Sequence, residues 1–94
     1  MTLKKREKID PQMITTSINE VEIKLKARLR QYGEGTFTSR HEILGIIDEE
    51  FDELKDAVRE KGPLKMENFK QELLDIAVSC VFGVACINSE TLDW

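Results

Sequence analysis

The sequence predicts an all-α fold: an antiparallel bundle of three main helices, with a stub left over for a short fourth, completed by dimerisation. Two observations carry that reading. Apolar residues recur at steps of three and four in separate stretches, which is the period of a helix with one buried face. Of the five Gly and two Pro, most fall between those stretches, and the 40% hydrophobic, 34% charged composition suits a helical domain better than a disordered chain or a β-sandwich. Ninety-four residues make one domain. Residues 1–9 read as a basic tail, with Lys4, Lys5, Arg6 and Lys8 solvated, and residues 10–94 as the helical domain. Three helices of this length bury a thin core, so a partner is expected to complete it.

Each element has its punctuation. Asp10-Pro11 supplies an N-cap followed by proline at the first helical position, and Ile14, Ile18, Val21, Leu25, Leu29 and Tyr32 then form one stripe. Gly33 and Gly35 stop it. After a loop to Thr38, Ser39 and Glu42 have capping-box spacing and open a second helix expected over residues 40–61, ended by Gly62-Pro63. A third is expected over residues 65–88, apolar nearly all round from Leu73 onward and so buried on most sides. Ser89 to Trp94 is either a tail or the stub of a fourth helix. Gly45 and Gly83, inside helices, suggest close helix packing.

Several function classes are disfavoured. A net charge of −4 without a clustered basic surface argues against binding a nucleic-acid polymer. No apolar segment follows the basic N-terminus, which argues against a signal peptide. The longest apolar stretch, residues 76–87, is shorter than the roughly 20 residues a membrane span needs. Cys80 and Cys86 are six residues apart on one helix, point in different directions and read as two buried free thiols. A cytoplasmic protein is expected.

The informative fault lies in the second helix. Its apolar residues are Ile43, Leu44, Ile46, Ile47, Phe51, Leu54, Ala57 and Val58. At ~100° per residue, Glu50 falls within ~20° of Ile43, on the apolar stripe itself, with Glu53 one turn on. Asp48, Asp52, Lys55, Asp56 and Arg59 occupy the opposite side as ordinary surface charge. A carboxylate on a core-facing stripe is costly unless paired or bound to metal, and no Lys or Arg shares that stripe. The third helix begins with Glu72 and Asp75, neighbours at i,i+3. On an antiparallel pair the two acidic pairs face each other, and four converging carboxylates need a cation. Magnesium, with manganese as a substitute, suits an all-oxygen donor set that leaves positions for substrate phosphates.

The segments Glu49-Glu50-Phe51-Asp52-Glu53-Leu54 and Glu72-Leu73-Leu74-Asp75 resemble the paired acidic motifs of the MazG-like nucleotide pyrophosphohydrolases, an all-α family. Arg30-Gln31-Tyr32-Gly33 looks like that family's basic-x-aromatic-Gly junction. The likeness runs from His41 to Ile87 and, loosely, through the first helix. It implies hydrolysis of a nucleoside triphosphate to the monophosphate and pyrophosphate, in a house-cleaning role, by a homodimer or dimer of dimers. It implies Glu50, Glu53, Glu72 and Asp75 as metal ligands, with Glu49, Glu50 and Glu53 in the catalytic set and Glu49 positioning water. Phosphate contacts are then expected from Lys24, Arg28, Arg30 or Arg40, or from the other subunit. Tyr32, Phe37 and Trp94 are candidates for stacking on a base or for core packing, and His41 reads as a surface or capping residue. The same fold acting on phosphoribosyl-ATP or dUTP, or a non-catalytic dimer retaining a relic acidic site, are the alternatives.

Overall fold

In the computed structural model, residues 5–93 are described; Lys4 and Trp94 lie outside them. The chain forms α1 (Pro11–Tyr32), α2 (Arg40–Arg59) and α3 (Lys65–Asn88), with no strand among the described residues. The starts follow the sequence chemistry. The Asp10 side chain accepts from the backbone N–H of Gln12 at 2.9 Å, and Pro11 occupies the first helical position. Ser39 caps α2 by accepting from Glu42 N–H at 3.2 Å. The return half of the capping box is displaced by one residue: Glu42 accepts from the N–H of Thr38, not of Ser39.

α2 ends two residues earlier than expected. Glu60 is already extended, and Gly62 takes φ +112 ahead of Pro63, whose ring disfavours helical geometry in the preceding residue. This tight turn sends α3 back antiparallel to α2, and Asn68 Nδ2 donates to Glu60 Oε1 at 2.6 Å across it. α3 is the shared element, packing against both α2 and α1. The pairings Glu20–Lys70 and Arg28–Asp75 advance together along both chains, so α1 runs parallel to α3 and the bundle is up-down-up.

At the far end, the Phe37 and Phe82 rings meet edge to face at 5.1 Å, and Asp93 N–H donates to the Thr38 carbonyl at 2.7 Å. Residues 91–93 therefore close over the α1–α2 loop as an irregular segment, and no fourth helix forms among the described residues.

The core is thin, and it corrects two expectations. α3 is buried only at Val78, Ser79, Gly83 and Cys86, while Leu73, Val81, Val84 and Ile87 are about half exposed. It is covered on one side and not on most. By length and composition alone it is long and apolar enough to cross a membrane, which the shorter apolar run of residues 76–87 did not suggest. Cys86 is buried but Cys80 is exposed, because Cys80 falls on the uncovered face.

On α2 the working stripe is Ile43, Ile46, Ile47, Glu50, Leu54 and Ala57; Leu44, Phe51 and Val58, at seven-residue spacing, form a second, exposed row. Of the two helical glycines, only Gly83 marks close packing: a Cβ there would meet the Ile43 side chain at 3.4 Å, whereas one at Gly45 would meet nothing within 4 Å. α1 has no fully buried residue, and its first turns extend past the start of α3, leaving Met13, Ile14 and Ile18 exposed.

Candidate metal centre

Antiparallel packing of α2 on α3 brings the two acidic motifs to one level of the bundle. Glu53, Glu72 and Asp75 each offer a carboxylate oxygen within 4.8 Å of the others. Glu53 is exposed, while Glu72 and Asp75 are half-buried. One turn deeper, Glu50 is buried, at 8% exposure. Glu49 is exposed, one turn before Glu53 on α2, and is not among the three carboxylates that converge.

The cluster divides into oxygens that have partners and one that does not. Glu50 Oε1 accepts from the Ser79 hydroxyl at 2.6 Å, and its Oε2 lies 3.8 Å from Arg28 Nη1. Asp75 Oδ1 takes two cations from α1, Lys24 Nζ at 2.7 Å and Arg28 Nη2 at 2.5 Å. Lys24 also donates to Gln71 Oε1 at 2.8 Å. In contrast, Glu72 Oε2 is buried and has no hydrogen-bond partner among the described residues. Native proteins satisfy nearly all buried polar atoms, so this oxygen, with only the Glu53 carboxyl to share a proton with, is the feature of the cluster that needs explaining.

The electrostatics agree with that division. Burial pushes the Glu72 carboxyl above the ordinary value of 4.5, the neighbouring charges of Asp75 and Glu53 push it further, and so does a hydrogen bond shared with the Glu53 carboxyl, while Lys24 opposes. Glu50 is also raised, chiefly by burial, because its bond from Ser79 and the charge of Arg28 offset only part of the desolvation. Three carboxylate oxygens this close could hold a metal ion.

This placement refines the expected ligand set. Glu53, Glu72 and Asp75 come together as anticipated; Glu50 sits beside them with both oxygens already engaged. No Lys or Arg on the α2 stripe reaches Glu50, as expected, but Arg28 approaches it from α1. Of the four expected phosphate contacts, Lys24 and Arg28 are at the cluster. Arg30 and Arg40 are exposed and form no ion pair among the described residues.

Ser79 is the functional neighbour that sequence reasoning missed. Its signal was available: 29 residues after Glu50, it is the one hydroxyl inside the apolar run of α3. His41 is exposed in the first turn of α2, the helix that also carries Glu50 and Glu53.

Two open spaces flank the centre. A groove of about 380 Å³ borders Glu53 and Glu72 and continues past Asp56, Glu60 and Asn68. A second cleft lies on the side of Arg28 and Ser79. Compared with protein-family models, curated proteins and solved structures, the chain has no match.

Proposed function

We propose that the chain is a magnesium-dependent nucleoside triphosphate pyrophosphohydrolase of the MazG-like type, converting a nucleoside triphosphate and water to the monophosphate and pyrophosphate. The observation that carries this reading is the orphaned, buried Glu72 Oε2 within 4.8 Å reach of Glu53 and Asp75. Glu72 keeps this oxygen dry with the Glu53 carboxyl beside it, and a cation would satisfy both carboxylates at once.

Glu53, Glu72 and Asp75 would hold the cation. When bound, it neutralises the triphosphate and polarises the α-phosphorus toward a nucleophile. The chain's own groups supply the rest. Glu53, the exposed member, faces incoming water and takes its proton as the new oxygen–phosphorus bond forms. The bond from the α-phosphorus to the bridging oxygen breaks, and pyrophosphate leaves with that electron pair. Arg28 and Lys24, held against Asp75 beside the site, would supply the positive charge that meets the phosphates. Ser79 and Arg28 fix Glu50, which keeps the α2 end of the site in place.

A second copy of the chain completes the assembly in this reading. The chain exposes 7794 Å², against roughly 5,500 Å² for a compact monomer of its mass. The half-exposed row Leu73, Val81, Val84 and Ile87 is a face that a twofold partner covers.

The test is pyrophosphate release from a panel of ribo- and deoxyribonucleoside triphosphates, with phosphoribosyl-ATP and dUTP included, with and without magnesium. Magnesium-dependent release that is lost in both Glu72→Gln and Asp75→Asn is expected. No turnover by the folded wild type would overturn the enzyme reading in favour of a non-catalytic dimer.

A further inference from the structure

Lys24 and Arg28 both reach Asp75 from α1, but they are tied down differently. The Arg28 guanidinium spans two carboxylates, with Nη2 on Asp75 Oδ1 and Nη1 3.8 Å from Oε2 of the buried Glu50. Moving it would strip a partner from a carboxylate that has few. Lys24 presents a single ammonium on a flexible stem. Its Nζ lies 2.7 Å from Asp75 Oδ1, 2.8 Å from Gln71 Oε1 and 3.4 Å from the Gln71 carbonyl oxygen. Gln71 is itself oriented: its Nε2 donates to Glu67 Oε1 at 3.1 Å, one turn earlier on α3, which turns the amide oxygen to Lys24. Lys24 therefore already touches two neutral acceptors that it keeps on leaving Asp75.

Its charge bears on the groups that converge. Against the burial that raises the Glu72 carboxyl, Lys24 is the cation that pulls it back. At Glu50, also raised by burial, that part falls to the Ser79 hydroxyl and Arg28. One ammonium thus serves Asp75 and Glu72, two of the three clustered carboxylates. Gln71 lines the groove beside Glu72, so the neutral acceptors stand in its wall.

We propose that Lys24 is the resident counter-ion of the cluster: it neutralises Asp75 and Glu72 in the metal-free protein and withdraws onto Gln71 when a divalent cation binds. The proposal rests on the cation centre of the pyrophosphohydrolase reading and adds to it a determinant of which ion enters. Lys24 already places one positive charge on Asp75. A potassium or sodium ion offers the same charge and must shed water to use it, so it gains nothing by the exchange. A divalent ion brings twice the charge, while the ammonium retains its two Gln71 contacts. The cluster is accordingly selective for divalent over monovalent cations.

Nuclear magnetic resonance of the full chain, isotope-labelled in lysine and aspartate, tests this directly. A scalar coupling across the hydrogen bond from Lys24 Nζ to the Asp75 carboxyl should be present in the metal-free protein. It should persist in roughly 0.2 M potassium chloride and vanish at saturating magnesium. Calorimetric titration with manganese adds an independent reading. Lys24→Met should bind at least about fivefold more tightly than the wild type, because no ammonium has to leave. Lys26→Met, an equal loss of charge from the exposed side of α1, should stay within about twofold. A coupling that is missing from the metal-free protein, lost in potassium, or retained at saturating magnesium would overturn the counter-ion role and leave the cation centre standing. So would Lys24→Met binding manganese no more tightly than Lys26→Met. A wild type that binds neither magnesium nor manganese would overturn this role and the cation centre together.

Discussion

The Ser79 hydroxyl donates to Glu50 Oε1 at 2.6 Å, joining two buried side chains across the α2–α3 interface. Glu50 lies on the apolar stripe of its helix, and this bond is the closest compensation it has for leaving water. Replacing Ser79 with alanine leaves that oxygen dry and unpaired. Ser79→Ala should lose about 1–3 kcal/mol of stability near neutral pH, read as a lower urea midpoint with an unchanged slope. An unchanged midpoint would show that Glu50 reaches another donor.

Asp75 is held by two cations from α1, so a metal at the proposed centre would compete with that helix for one carboxylate. Arg28 is partly exposed, and its loss should cost only about 1 kcal/mol of folding stability. Arg28→Ala should nevertheless bind manganese several-fold more tightly, because a competing positive charge is gone. Calorimetry on the two proteins reads both effects; weaker manganese binding in Arg28→Ala would contradict the competition.

The pH dependence has a definite sign. Glu50 and Glu72 are both raised above 4.5 in the folded chain, mainly by burial. Above 4.5 the folded state keeps protons that the unfolded state has lost, so this stabilising contribution is full below 4.5 and disappears as pH rises through the folded values. The Tm of the metal-free protein should therefore fall as pH rises above 4.5, and millimolar magnesium should restore more of it at the higher pH than at the lower. A metal-free Tm that climbs over this range would rule out the raised carboxyls as its source.

The two helical glycines make opposite predictions. Gly45→Ala meets nothing within 4 Å and should gain about 0.5–1 kcal/mol from helix propensity. Gly83 already lies 3.4 Å, measured from an added Cβ, from the Ile43 side chain, so Gly83→Leu should cost about 1–3 kcal/mol through overpacking. Thermal or urea unfolding of the pair checks both signs.

The helices were legible because their punctuation is local. Asp10, Ser39, Gly33 and Gly62 each act within a few residues, and the described boundaries agree with them to two residues or better. The pairing of Glu53 with Glu72 and Asp75 was also legible, since a short turn forces α2 and α3 antiparallel and i,i+3 spacing does the rest.

What the sequence could not show was which faces of the helices meet a third element. Arg28 belongs to α1, whose rotation against α3 is set by tertiary packing, and so its approach to Glu50 went unseen. For the same reason α3 read as buried on most sides: apolar periodicity reports what a residue prefers, not whether a partner covers it. Leu73, Cys80 and Val81 are half exposed or more although their run is continuous with Val78 and Cys86. Ser79, a lone hydroxyl in that run, acquired meaning only when Glu50 was placed opposite it.

The most direct measurement is manganese binding to the wild type and Glu72→Gln, paired with the Tm of each metal-free protein at pH 8. Glu72 is the residue whose buried oxygen has no partner and whose ionised form is opposed by its surroundings. If that discomfort exists to hold a cation, neutralising it should stabilise the metal-free chain while removing manganese affinity by about tenfold or more. A Glu72→Gln protein that binds manganese as well as the wild type, or a wild type that binds none at millimolar metal, would contradict a cation centre at Glu53, Glu72 and Asp75.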